Sequence, residues 1–250
     1  MVIAPDFVAV IDGSTSKSET IVHPPLSNGQ YAMQLVADAL TSMPAQVNVR
    51  QFCHFITTTI EEAYHYHGID RDRLLCHPEE RLTASAAIYS RYHRQTWLIG
   101  DCQCLVDGKH YDNPKPAEQP NAEKRAARIE QLLRQGVTQA SLLTHDYGRD
   151  HILDDIIEST HFQNKTFSVI DGFPIPLSLV KIIDCRAAQE IVLATDGYPE
   201  LLPTLSASEH RLAQLLEEDP LCYRRFKATK AKMLGQQSFD DRAYVRFRTK

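Results

Sequence analysis

Three aspartates stand directly behind short apolar stretches: Asp12 after FVAVI, Asp196 after EIVLAT, and Asp240 after Ser238-Phe239. An acid at the end of a strand is held by a rigid scaffold while its carboxylate projects into the loops beyond. Carboxylates and backbone carbonyls are the hard oxygen donors that Mg²⁺ and Mn²⁺ prefer. Glycine follows both Asp12 and Asp196, and a residue without a Cβ lets a ligand come close to the main chain. Three converging acids need a counter-charge, and a divalent ion supplies one. Taken singly, Asp-Gly is a turn dipeptide, and Asp107-Gly108 and Asp171-Gly172 read as plain turns. Lys17, five residues past Asp12, is a candidate phosphate-binding cation; a solvated surface lysine is the simpler reading.

The elements that must position these residues are legible in the periodicity. Residues 7–11 read as a buried strand, and residues 14–29 as a polar, turn-rich stretch. Residues 30–42 and 48–66 carry apolar positions at helical spacing. Residues 82–92, 95–99 and 102–106 alternate like strands and read as a three-stranded antiparallel meander, with Asp107-Gly108 as a hairpin signal. The proline-bearing stretch 112–121 reads as an exposed loop, with Asn121 capping a helix to about Arg134. A short helix is expected at 150–160, strands at 167–170, 180–183 and 190–195, helices at 208–218 and 220–233, and a last strand at 243–247. Strands before and after paired helices make this a mixed α+β chain rather than a βαβ alternation.

Composition bounds the remaining classes. With 43% hydrophobic residues over 250 positions, the chain can bury a sizeable core, and it reads as a single domain, 1–250. A net charge of −5 argues against a nucleic-acid partner, which needs a basic footprint. No apolar run reaches the roughly 18 residues of a membrane span. The first residues lack the basic start of a secretory signal, so a cytoplasmic location is expected. The six cysteines contain no CxxC and read as reduced core thiols, and His65 and His67 read as a solvated helix end. Nothing in the pattern sets an oligomeric state.

In this order, the motifs resemble the metal-dependent protein phosphatases of the PPM type, also called protein phosphatase 2C. FVAVIDG resembles the strand ending in Asp-Gly. TASAAIYSRYHRQTWLIGDCQ resembles the hairpin leading to Gly-Asp-Ser-Arg, IVLATDGYPELL the late Leu-Ala-Ser-Asp-Gly strand, and SFDDRAYVRF the closing Asp-Asn strand. The resemblance implies a four-layer sandwich, two antiparallel sheets flanked by helix pairs, with one or two Mn²⁺ or Mg²⁺ ions at one edge. Asp12 would bridge the metals, the Gly13 carbonyl would bind the second, and Asp196 and Asp240 would complete the first. Asp101 would support the loop without binding metal. The implied reaction is hydrolysis of a phosphomonoester, on phosphoserine or phosphothreonine of a protein or on a small phosphoester, by a water the metals acidify and orient.

The sequence also departs from that pattern. Ser14-Thr15-Ser16-Lys17 stands where the family often has His-Gly-Gly or Met-Gly-Gly, so a histidine proton donor is missing. The earlier strand with a phosphate-binding arginine is mostly absent, because eleven residues precede Asp12. Two other readings arise from these departures. One is a phosphatase-like module that binds or regulates without catalysis. The other is an actin-like sugar kinase or ATPase, whose first phosphate loop VIDGSTSK resembles; no second glycine-rich phosphate loop accompanies it, with only 10 glycines in all.

Overall fold

The structure is a computed structural model, described over residues 1–249. In chain order its elements are β1 (Val2–Ile3), β2 (Phe7–Gly13), α1 (Asn28–Ser42), α2 (Val49–Tyr66), α3 (Arg71–Cys76), β3 (Ala84–Ser90), β4 (Gln95–Ile99), β5 (Gln103–Val106) and β6 (Lys109–Tyr111). There follow α4 (Glu118–Arg134), α5 (Gln139–Thr144), α6 (Tyr147–His151), α7 (Leu153–Thr160), β7 (Lys181–Asp184), β8 (Glu190–Ala194), α8 (Leu205–Glu218) and β9 (Tyr244–Arg248). The strands form two sheets, ordered β1-β2-β3-β4-β7 and β6-β5-β8-β9, and every ladder within them is antiparallel. The chain is α+β, with the sheets stacked and helices outside them.

The period of two in each strand decides which layer a side chain joins. In β2, Phe7, Ala9 and Ile11 turn toward α1 and α2, where they pack with Val36, Leu40, Phe52, Ile56 and Trp97. Val8 and Val10 turn the other way, into the seam between the sheets, against Cys104, Ile191 and Leu193. Both faces of β2 are therefore covered, which is why its sequence is a continuous apolar run rather than an alternation. In β8 the split repeats: Ile191 and Leu193 enter the seam, while Val192 and Ala194 pack under Leu212 and Leu216 of α8. The helices begin as their sequences direct. Ser27 with Gln30, and Asn48 with Gln51, form capping boxes ahead of α1 and α2.

Four expectations are corrected. Residues 102–106 do not complete a meander: the chain leaves the first sheet after β4, turns at Gly100-Asp101, and β5 pairs with β8 in the second sheet. Asn121 is not a cap but lies buried inside α4, which starts three residues earlier at Glu118. Phe167–Ile170 makes isolated bridges only. No helix forms at 220–233, because the backbone groups there are claimed by side chains. The Arg125 guanidinium donates to the carbonyls of Leu221, Cys222 and Ala228. Asp219 accepts from the amides of residues 223, 224 and 225, and Asp146 accepts from the amide of Ala231. This coil stands beside α8 in the outer layer of the second sheet.

Asp171 is more than a turn residue. Its buried carboxylate accepts from Arg81 (2.9 Å), Asn164 (2.9 Å) and the Phe173 amide (3.0 Å). The edge strand β1 pairs Val2 with Ala9, so a two-residue strand does precede β2. Among the described residues all six cysteines are free, and no helix is long and apolar enough to cross a membrane.

Candidate active site

The acids collect where the seam between the sheets opens. Asp12 continues the inward series Val8, Val10 at the end of β2. Asp101 occupies the crossing from one sheet to the other, and Asp196 lies two residues beyond β8. Asp240 is brought alongside by the β8–β9 ladder, which Thr195 extends: its amide donates to the Ala243 carbonyl (3.1 Å) and its hydroxyl accepts from the Ala243 amide (3.0 Å). All four aspartates line one cleft with Gly13, Ser14, Lys17, Lys115, Arg149 and Lys230.

The two Asp-Gly steps have structural reasons of their own. A Cβ on Gly13 would stand 2.3 Å from the carbonyl oxygen of Gly29 in the first turn of α1. One on Gly197 would stand 2.4 Å from the carbonyl oxygen of Asp241. What comes close to these glycines is the chain's own backbone, and this contact draws Asp240-Asp241 up against Asp196.

Asp12 and Asp196 line the same cleft, and the charge of Asp12 acts on Asp196. Burial, then the charges of Asp101 and Asp240, raise Asp12 to about 6. Burial, then Asp101, Asp12 and Asp240, push Asp196 well above the ordinary carboxylate range. Asp101 behaves differently. Burial works against its charge, but the Lys115 ammonium at 2.5 Å and the Ser85 hydroxyl at 2.6 Å outweigh it and hold the carboxylate low. For Lys115, burial is likewise outweighed by the charges of Asp101 and Asp196, which raise it. Asp240 accepts from the Lys230 ammonium and from the Asp241 amide.

Lys17 lies in the same cleft, its ammonium donating to the Ser14 hydroxyl (2.7 Å) and the Thr15 carbonyl (3.2 Å). Burial and then the neighbouring cations Lys115 and Arg149 bring it down to about 7. Arg149 reaches the cleft from α6 and is steadied by the Thr229 carbonyl (3.1 Å).

Whether these residues fit a divalent ion is decided by the Asp12–Asp196 pair. Two carboxylates that repel one another, in a site whose donors are oxygens, suit a hard cation. One oxygen of Asp196, Oδ1, is buried with no hydrogen-bond partner among the described residues. Among the described residues no three acidic, histidine or cysteine side chains stand in metal-holding geometry around one point. The third acid, Asp240, is turned onto Lys230. That leaves Asp12 and Asp196 as the two acids whose oxygen donors suit such an ion.

Sequence reasoning singled out Asp12, Gly13, Asp196, Asp240 and Lys17, and the structure brings all five to the cleft. It missed Lys115, Lys230 and Arg149. The signal for Lys115 was its place between two prolines, Pro114 and Pro116, in a stretch whose backbone is stiffened around one inward side chain. No local signal marks Lys230 or Arg149.

No family model matches the sequence, and no curated protein matches it. Among the solved structures that match over most of the chain are serine and serine/threonine phosphatases. A bacterial serine phosphatase is 12% identical, with a TM-score of 0.44, over 98% of this chain and 86% of that one. The serine/threonine phosphatase Stp1 from Staphylococcus aureus is 12% identical, with a TM-score of 0.36, over 88% of this chain and 92% of that one. The catalytic domain of the serine/threonine protein phosphatase PstP, in complex with two manganese ions, is 12% identical, with a TM-score of 0.34, over 83% of this chain and 84% of that one. The chemistry of the cleft has to be read from its own residues.

Proposed function

We propose that the cleft is the active site of a divalent-metal-dependent phosphomonoester hydrolase, acting on phosphoserine or phosphothreonine in proteins or on small phosphoesters. The observation that carries this is the meeting of Asp12 and Asp196, with an unpartnered buried oxygen on Asp196, in a cleft that also presents Lys17 and Arg149. Asp12 and Asp196, with the Gly13 carbonyl beside them, are the residues to hold Mn²⁺ or Mg²⁺, and Asp240 stays paired with Lys230. When bound, such an ion acidifies water and neutralises charge on phosphoryl oxygens. The chain's own groups do the rest. Lys17, held forward by Ser14 and Thr15, and Arg149, held by the Thr229 carbonyl, are placed to take the dianionic phosphoryl group. Lys115 keeps Asp101 ionised and fixed at the sheet crossing, so that acid stays out of the reaction and supports the loop.

The test is hydrolysis of an aryl phosphate with and without Mn²⁺, beside EDTA and Asp196→Asn controls. Turnover that survives both EDTA and Asp196→Asn removes the metal mechanism. A second reading, a phosphate-binding module without turnover, is favoured by the pairing of Asp240 with Lys230, which withdraws one acid from an ion. Phosphopeptide binding by a folded protein that hydrolyses no phosphoester would decide for it.

A further inference from the structure

The balance of charge in the cleft bears on how many ions it can hold. Four carboxylates line it: Asp12, Asp101, Asp196 and Asp240. Two of them already have a cation from the chain itself. Lys115 holds Asp101 at 2.5 Å, with its side chain 28% exposed and that of Asp101 11% exposed. Lys230 holds Asp240, with side chains 23% and 19% exposed. These are part-buried pairs, and both face the cleft that the four acids line. Asp12 and Asp196 remain in the same cleft, without a cation in direct contact among the described residues, carrying two negative charges between them when ionised. One divalent ion balances that remainder, and a second would meet two ammonium groups where it needs carboxylates.

Building on the metal-dependent reading of the cleft, we propose that Lys115, aided by Lys230, is a tethered counter-ion that takes the place of a second metal, so that the chain binds a single divalent ion between Asp12 and Asp196. The Lys115 ammonium is anchored from a loop between two prolines, and its charge acts on both Asp101 and Asp196. It is therefore fixed on Asp101 in the cleft that Asp12 and Asp196 also line. A fixed cation there repels an arriving ion and already neutralises Asp101, the acid a second ion would need.

The experiment is calorimetric titration of the full chain with MnCl₂, together with Mn²⁺ electron paramagnetic resonance to count bound ions. Wild type, Lys115→Met and Lys115→Arg are compared, with circular dichroism on each. Wild type and Lys115→Arg should bind one Mn²⁺ per chain. Lys115→Met, which keeps the stem and loses the charge, should either bind a second ion or bind the first at least about tenfold more tightly. If Lys115→Met does not fold, Lys230→Met should show the same gain from the other pair. Two ions on wild type overturn the proposal, as do unchanged stoichiometry and affinity in the folded methionine variants. No Mn²⁺ on wild type overturns it as well. One ion on wild type without phosphoester turnover removes the hydrolase reading and leaves the counter-ion proposal standing.

Discussion

Arg125 is the largest charged side chain in the fully buried interior, and replacing it tests how the coil at 220–233 is held. Its guanidinium meets both oxygens of Asp146, at 2.9 Å from Nη2 and at 3.1 and 3.2 Å from Nε. Its Nη1 donates to three carbonyls, of Leu221 (2.9 Å), Ala228 (3.1 Å) and Cys222 (3.2 Å). Arg125→Met keeps much of the apolar stem, so the packing change is small. What remains is a buried carboxylate without its cation and three carbonyls without their donor. Removing one partner of a buried pair costs about 3–5 kcal/mol. Asp146 keeps its amide donors, Arg149 (3.0 Å) and Ala231 (2.8 Å), which places the expectation near the middle of that range. A loss of about 4 kcal/mol lowers the melting temperature of a chain this size by roughly 8–16 °C. The assay is urea and thermal unfolding followed by the fluorescence of Trp97, which reports from the separate core under α1 and α2. Hydrogen exchange at residues 221–231 should rise more than elsewhere. Adding Asp146→Asn to Arg125→Met removes the stranded charge and should restore part of the loss. A loss below about 1 kcal/mol, or a double variant no more stable than the single one, would refute the reasoning.

Further outcomes are expected from the cleft. In EDTA, Asp12→Asn should stabilise the protein at pH 7.5 relative to wild type, while the two should be alike near pH 4. The folded value of Asp12, about 6, lies above the ordinary 3.8, so its contribution is present below 3.8 and lost as pH rises through 6. That displacement corresponds to about 3 kcal/mol at 1.36 kcal/mol per pH unit, read from melting curves across the range. Saturating Mn²⁺ should reverse the order, stabilising wild type by about 4.1 kcal/mol at a thousand times Kd and leaving the variant unmoved. Lys17→Ala should raise KM for an aryl phosphate more than it lowers kcat. In wild type KM should climb as pH passes about 7 and the ammonium is lost, a rise that Lys17→Arg should abolish. Asp196→Asn should end both Mn²⁺ binding and turnover with circular dichroism unchanged, since it leaves the packed layers intact.

The elements legible in the sequence were those whose partners are near in the chain or whose pattern is self-contained. β2, α1, α2 and the β3–β4 hairpin fall here, because capping, periodicity and a short turn are local facts. The β4–β5 step was not legible, since Gln103–Val106 reads as a strand whichever sheet receives it, and its partner β8 is some ninety residues away. The coil after α8 was misread for a similar reason. Its composition permits a helix, but Arg125 and Asp146 capture its backbone groups from far upstream. The acids of the cleft announce themselves by standing at strand ends. The cations do not: Lys115, Arg149 and Lys230 come from a loop, a five-residue helix and a coil, where no period marks the inward side.

That division between acids and cations has a consequence for how the molecule can change over generations. Asp12 rides on the end of β2, Asp101 on the turn from β4 to β5 and Asp196 two residues past β8, where a shift of register would ruin both packed faces at once. Three of the four cations ride on segments outside the ladders and outside any helix. Replacements there can alter the size and charge of whatever the cleft admits while the buried layers stay as they are. The frame that holds the acids is thus inherited nearly as one block, and the rim around it is free to drift toward new molecules.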